Sequence, residues 1–136
     1  KAGYGGTFYN VSFVGTQALA DELGKDGAGV VVSQVMPSPY NAARPIARAF
    51  VDAVNKAGGD YQANFPSMEG YIAAKVFAEG LKRAGPKLTR DTLISGLEGM
   101  GSQSLGGFSV SFSAADHVAS SFVELSMLTG DGRVRT

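Results

Sequence analysis

The chain has no cysteine, which excludes disulfides, thiolate metal sites and a cysteine nucleophile. It also has no net charge, because 12 basic and 12 acidic residues cancel. Nothing in its composition therefore draws it to nucleic acid or to an anionic membrane surface. No apolar run approaches the roughly 20 residues of a membrane-spanning helix. His117 is the single histidine, too few for a histidine-built metal site. Gly-Lys-Ser/Thr does not occur, and neither does a repeat, a heptad pattern or a low-complexity tract. The first residue is Lys1, and no signal peptide is visible. Lys1-Ala2-Gly3-Tyr4-Gly5-Gly6 reads as the tail of a helix with its glycine stop, so the expectation is a fragment, its signal peptide already removed.

What is present suits one globular domain. At 136 residues, 44% hydrophobic and 18% charged, the chain can bury a core but is too short for two complete domains. Ala28-Gly29-Val30-Val31-Val32-Ser33-Gln34-Val35-Met36-Pro37 is the organising stretch. Consecutive valines predict a strand buried on both faces, as in a sheet covered by helices. Pro37 ends it by removing a backbone donor, and Ser38-Pro39-Tyr40-Asn41 reads as a stiff crossing segment. Ser33 and Gln34 sit near the C-terminal end of this strand, the end at which open α/β sheets bind ligands.

Around it, Phe8 to Val14 reads as a first strand, and Thr16 as the cap of a short helix over Ala18 to Leu23. Together with the valine strand they make a β-α-β unit. Asn41 is a candidate cap for a helix with Pro45 in its first turn and Ile46, Phe50, Val54 and Ala57 along one face. A second helix has Ser67 as its cap, Pro66 before it and an apolar face of Ile72, Val76, Phe77, Gly80 and Leu81. Lys82 and Arg83 fall in its last turn, where they complement the helix dipole. Thr89 caps a third helix with Leu93, Ile94 and Leu97, closed by Gly99 and Gly101. Phe108, Val110 and Phe112 alternate with Ser109 and Ser111, one dry face and one wet. Phe122 to Leu128, a Thr129–Gly132 turn and Arg133 to Arg135 complete a terminal β-meander. The predicted class is α/β with three layers.

No constellation of catalytic residues assembles. The glycine clusters at Gly3 to Gly6 and Gly99 to Gly101 lack the strand-before, helix-after context of a phosphate loop and read as turns. Asp116-His117 has no companion nucleophile and reads as a local turn. Lys25-Asp26 is a solvated pair before the valine strand, and Asp91 and Glu98 are surface charges. The residues themselves point to a binding or structural domain rather than an enzyme.

A resemblance says more. Phe13-Val14-Gly15-Thr16, then Ala28 to Pro37, then Ser67-Met68-Glu69-Gly70-Tyr71-Ile72-Ala73-Ala74-Lys75-Val76 resemble the type I periplasmic substrate-binding proteins. More narrowly, they look like the branched-chain amino-acid-type receptors of ABC transporters. Leu105-Gly106-Gly107-Phe108-Ser109-Val110-Ser111-Phe112-Ser113 with Asp116-His117 is similar to a late stretch of that family, and Val123-Glu124-Leu125 with Asp131-Gly132-Arg133 to its terminal hairpin. The likeness covers essentially the whole chain.

Such receptors have two α/β lobes joined by a hinge of three crossings, close on ligand in the cleft, and are normally more than twice this long. By the resemblance, this chain is an incomplete, C-terminal part of one. Residues 1–36 and 122–136 are then second-lobe elements, and residues 37–121 hold hinge crossings and first-lobe helices and strand. The family's α-carboxylate clamp falls outside the chain, and its second-lobe acidic residue falls near Lys25. A lysine there departs from the pattern and suits an anionic group, whereas Asp26 supplies the acidic residue if the match shifts by one position. The ligand implied is an amino acid or an organic or aromatic acid.

By position, the cleft-facing candidates are Phe13, Thr16, Lys25, Gln34, Phe65 and Ser67. Structural roles compete for three of them: Thr16 and Ser67 as helix caps, Phe65 as core. The resemblance implies a periplasmic solute receptor that delivers its ligand to the membrane permease of an ABC importer, with no cofactor, metal or nucleic acid. A ligand-sensing domain of the same fold, coupled to a regulator, is the alternative, and a small hydrolase using Asp116 and His117 a third reading. A lobe without its partner strands is expected to dimerise or exchange elements with a second copy.

Overall fold

The computed structural model describes residues 3–136. Lys1 and Ala2, where the helix tail is expected to begin, lie outside the described residues, and residues 3–8 form no helix. The elements run β1 (Tyr9–Val11), α1 (Thr16–Leu23), a 3-10 turn (Gly24–Gly27), β2 (Val31–Gln34), α2 (Pro45–Ala57), α3 (Phe65–Ala84), α4 (Arg90–Glu98), β3 (Gly101–Ser104), β4 (Ser109–Phe112), β5 (Glu124–Leu128) and β6 (Val134–Arg135). Two sheets result: a four-stranded one in the order β1-β2-β5-β6, and a β3-β4 pair. β1 and β2 are parallel, whereas β5 runs antiparallel to both β2 and β6.

The valine strand is only half as buried as its composition predicts. Val30 and Val32 are buried with Ala20 and Leu128 beneath α1. Val31 is half-exposed, because it points to the other face of the sheet. Register places Val31 level with Tyr9 and Met127, and Ser33 level with Val11 and Leu125. Tyr9, Val11, Leu125 and Met127 are all exposed, so this face has no covering layer among the described residues. A run of valines marks burial on both faces only where helices cover both.

The second core lies in the middle of the chain. Ile46 and Phe50 of α2, Met68 and Ile72 of α3, Met100, Phe108 and Val110 form one buried cluster. The expected dry and wet faces of β4 are there, with Val110 buried and Ser109 and Ser111 exposed. The β-meander is not: β4 pairs with β3, a strand of sequence Gly-Ser-Gln-Ser that reads as loop, while β5 and β6 join β2 in the other sheet. Phe77, expected on the apolar face of α3, is 52% exposed.

Three helix caps also differ. α1 begins at Thr16 itself, with Gly15 in the cap position. Arg44 rather than Asn41 precedes α2, and the Asn41 carboxamide oxygen accepts instead from the backbone N–H of Ala43 (3.1 Å). α3 starts at Phe65, one turn earlier in effect, because Asn64 and Ser67 form a reciprocal capping box. Thr89 caps α4 as expected, in a second box with Thr92.

α3 and α4 cross at two glycines. A Cβ added at Gly96 would lie 2.9 Å from the Gly80 carbonyl oxygen and 3.0 Å from the Ala84 amide nitrogen, both backbone atoms of α3. Alanine normally favours a helix by about 1 kcal/mol over glycine. Here the expected result of Gly96→Ala is the opposite sign, a loss of about 1–3 kcal/mol from forcing two backbones apart. Urea unfolding measures it; a gain in stability would show that the helices do not pack this closely.

Candidate functional site

The parallel strands β1 and β2 end on the same side, and α1 begins there. Three segments meet at that end: the β1–α1 turn, the crossing from β2 to α2, and the N-terminus of α3. A Cβ built on Gly15 would sit 3.7 Å from Cγ of Pro66, so the two helix starts nearly touch. Tyr40, just after Pro39 on the crossing, meets the ring of Phe65 edge-on at 5.8 Å between centroids. Burial, with a smaller contribution from the Asp21 carboxylate, raises the Tyr40 hydroxyl above its ordinary pKa of 10.0. At neutral pH it is thus a protonated hydrogen-bond donor.

Five of the six sequence candidates surround this place in different ways. Phe13 occupies the β1–α1 turn, closed by the Val14 N–H donating to the Val11 carbonyl, and its side chain is 96% exposed. Thr16 and Gln34 are fully buried behind it. The Gln34 amide donates to Thr16 Oγ1 at 2.6 Å and to Ser126 Oγ at 2.7 Å, and Ser126 Oγ donates on to the Val32 carbonyl at 3.1 Å. That network ties α1, β2 and β5 together and uses both amide hydrogens of Gln34. Phe65 is buried beneath Tyr40, and the Ser67 hydroxyl is held by the cap of α3.

Lys25 is not brought to this place. It lies exposed in the 3-10 turn after the C-terminal end of α1, beside the start of β2. An eight-residue helix rises about 12 Å, which sets Lys25 at the opposite end of the sheet from Thr16 and Gln34. The resemblance aligned it in sequence; the direction of α1 carries it away. Asp116 holds a local turn by accepting from the Val118 N–H (2.8 Å), and His117 Nε2 lies 2.9 Å from a Glu98 carboxylate oxygen on the surface. Among the described residues no group of three metal-ligating side chains occurs.

Tyr40, Arg44 and Glu124 also stand here, and none of them is among the six candidates. Tyr40 carried a usable signal, an aromatic directly after the Pro-Ser-Pro crossing. Arg44 and Glu124, 80 residues apart, pair at 3.1 Å, and no local pattern announces that. An apolar cleft of about 460 Å³ also opens between the crossing and α3, lined by Val35, Met36, Ile72, Val76, Phe77 and neighbours. None of the six candidates lines it.

Comparison with known proteins gives this arrangement a context. The family model described as periplasmic binding protein matches residues 1–132. A possible leucine/isoleucine/valine-binding protein from Rhodopirellula baltica superposes with a TM-score of 0.90 at 28% identity, covering 97% of this chain and 36% of that one. A substrate-binding periplasmic protein from Ralstonia solanacearum matches with a TM-score of 0.83 at 32% identity, over 93% of this chain and 36% of its own. An extracellular ligand-binding receptor from Verminephrobacter eiseniae matches with a TM-score of 0.80 at 28% identity, over 94% and 37%. The chain therefore spans little more than a third of the length of these structures. No curated protein sequence matches it.

Proposed function

We propose, from the premise that this chain belongs to the periplasmic binding protein family, that it contributes one wall and part of the hinge of a solute receptor. The observation that carries the reading is the convergence of the β1–α1 turn, the Tyr40 crossing and the start of α3 at the C-terminal ends of parallel strands. Ligands of open α/β folds bind at such ends. The solute lies against Phe13, with Tyr40 as a donor and the ends of α1 and α3 beside it. Phe65 and Ser67 set the position of α3, and Thr16 and Gln34 hold α1 to the sheet behind the solute. Lys25 takes no part. The solute class is an amino acid or an organic or aromatic acid, and likeness to a protein described as leucine/isoleucine/valine-binding favours the first.

In the periplasm or outside the cell, such a receptor hands its solute to an ABC importer. Residues 1–36 and 122–136 form the lobe built on the larger sheet, and residues 37–121 the crossings and the other lobe. The apolar face of Tyr9, Val11, Leu125 and Met127 supports association of this chain with a second copy.

Phe13 tests the site without disturbing the fold, because its side chain is almost wholly in solvent. Calorimetric titration with a panel of branched-chain amino acids and aromatic acids is expected to show Phe13→Ala binding at least about tenfold more weakly, roughly 1.4 kcal/mol. Lys25→Ala is expected to leave affinity unchanged. The reverse pattern would move the solute to the other end of α1.

A further inference from the structure

Among the described residues, two stretches of chain join the part built on the larger sheet to the part built on α2, α3 and α4: residues 35–44 and 113–123. A single carboxylate fastens both. Glu124 is the first residue of β5, directly after the second connection. Its Oε2 accepts from the backbone N–H of Ser38 (3.2 Å), 86 residues away on the first connection. Its Oε1 accepts from Arg44 Nη2 (3.1 Å), and Arg44 is the residue on which α2 begins. The Arg44 guanidinium also lies 5.5 Å over the ring of Phe122, on the second connection. Phe122 in turn packs edge-on against buried Phe108 at 5.6 Å.

We infer that Glu124 and Arg44 form a hinge brace, which fixes the angle between the two parts and so, on the receptor reading proposed for this chain, governs how freely the receptor opens and closes. An isolated surface ion pair contributes little and orders nothing beyond its own side chains. This pair differs in three respects. Both carboxylate oxygens are engaged, by two different partners on the first connection. The side chains are only 29% and 22% exposed, which limits screening by solvent. The cation is also held by an aromatic face on the second connection, so the guanidinium is fixed from two sides. The first connection is itself folded into turns, with the Asn41 N–H donating to the Ser38 carbonyl and the Arg44 N–H to the Asn41 carbonyl. Ser38 and Arg44 therefore move as one piece, and Glu124 grips that piece at both ends. A hinge built this way bends when the carboxylate lets go of one end.

The absence of native cysteine makes the test direct. Spin labels are attached at Asp26→Cys and Arg90→Cys, exposed positions in the two parts. Pulsed electron paramagnetic resonance then reads the distribution of distances between them. Glu124→Ala and Arg44→Met are each expected to broaden the distribution at least twofold, and the double variant to be no broader than the wider single, because both remove one brace. Arg44→Met keeps an apolar cover over Phe122 and serves if Glu124→Ala does not fold. An unchanged distribution in the folded single variants, or broadening that adds in the double, would overturn the inference. The readout needs no solute, so its failure is distinct from failure of the proposed binding site.

Discussion

Replacing Gln34 by leucine is expected to lower the stability of the chain by about 2–4 kcal/mol in urea unfolding. Leucine fills the volume and adds apolar area, which by itself favours folding. Against that, two buried hydrogen bonds of 2.6 and 2.7 Å disappear. A buried hydroxyl left without a partner costs about 1–3 kcal/mol. Ser126 keeps its bond to the Val32 carbonyl, so most of the penalty falls on Thr16. Thr16→Val in the same background is expected to recover part of the loss, because it removes the stranded hydroxyl. A Gln34→Leu variant within about 0.5 kcal/mol of the parent would show that the network does not hold α1 to the sheet.

The second large effect is expected at Phe50. It is buried between α2 and α3, with the ring of Tyr71 at 5.3 Å, in the cluster that holds Ile46, Met68 and Ile72. Truncating a buried phenylalanine to alanine costs about 3–5 kcal/mol, from lost transfer energy and the cavity left behind. Domains have about 5–15 kcal/mol in all, so Phe50→Ala is expected to move the unfolding midpoint far down. Phe77 is the control. It stands on the expected apolar face of α3, yet it is 52% exposed, and Phe77→Ala is expected to cost less than about 1 kcal/mol. Equal costs at the two positions would mean that Phe77 is buried in solution, by a second copy or another segment.

Element types were legible where a local rule governs them. Helical spacing of Ile46, Phe50 and Val54 announced α2, and the Thr89 cap announced α4, because both signals lie within a few turns of chain. Alternation in Phe108 to Phe112 gave the two faces of β4. β3 was silent, since Gly-Ser-Gln-Ser has no strand character and exists as a strand only through its partner β4. At the candidate site, the crossing was legible as a position, whereas Phe13 reads as part of the first strand and stands instead in the turn after β1, which ends at Val11. What Gln34 and Thr16 do was not, because their partner Ser126 is 92 residues from Gln34.

By itself, the sequence determined the α/β class, the order of helices, the valine strand and the resemblance to a receptor family, all of which rest on local pattern or motif order. The tertiary structure alone decided that Val31 faces a side of the sheet that no described element covers and that Phe77 is half in solvent. It also decided that Lys25 lies at the far end of α1 and that Glu124 closes on Ser38 and Arg44. The physical reason is common to these four. Burial, direction and pairing depend on which distant segment comes to lie opposite a residue, and that is settled by the packing of whole elements, not by neighbours along the chain.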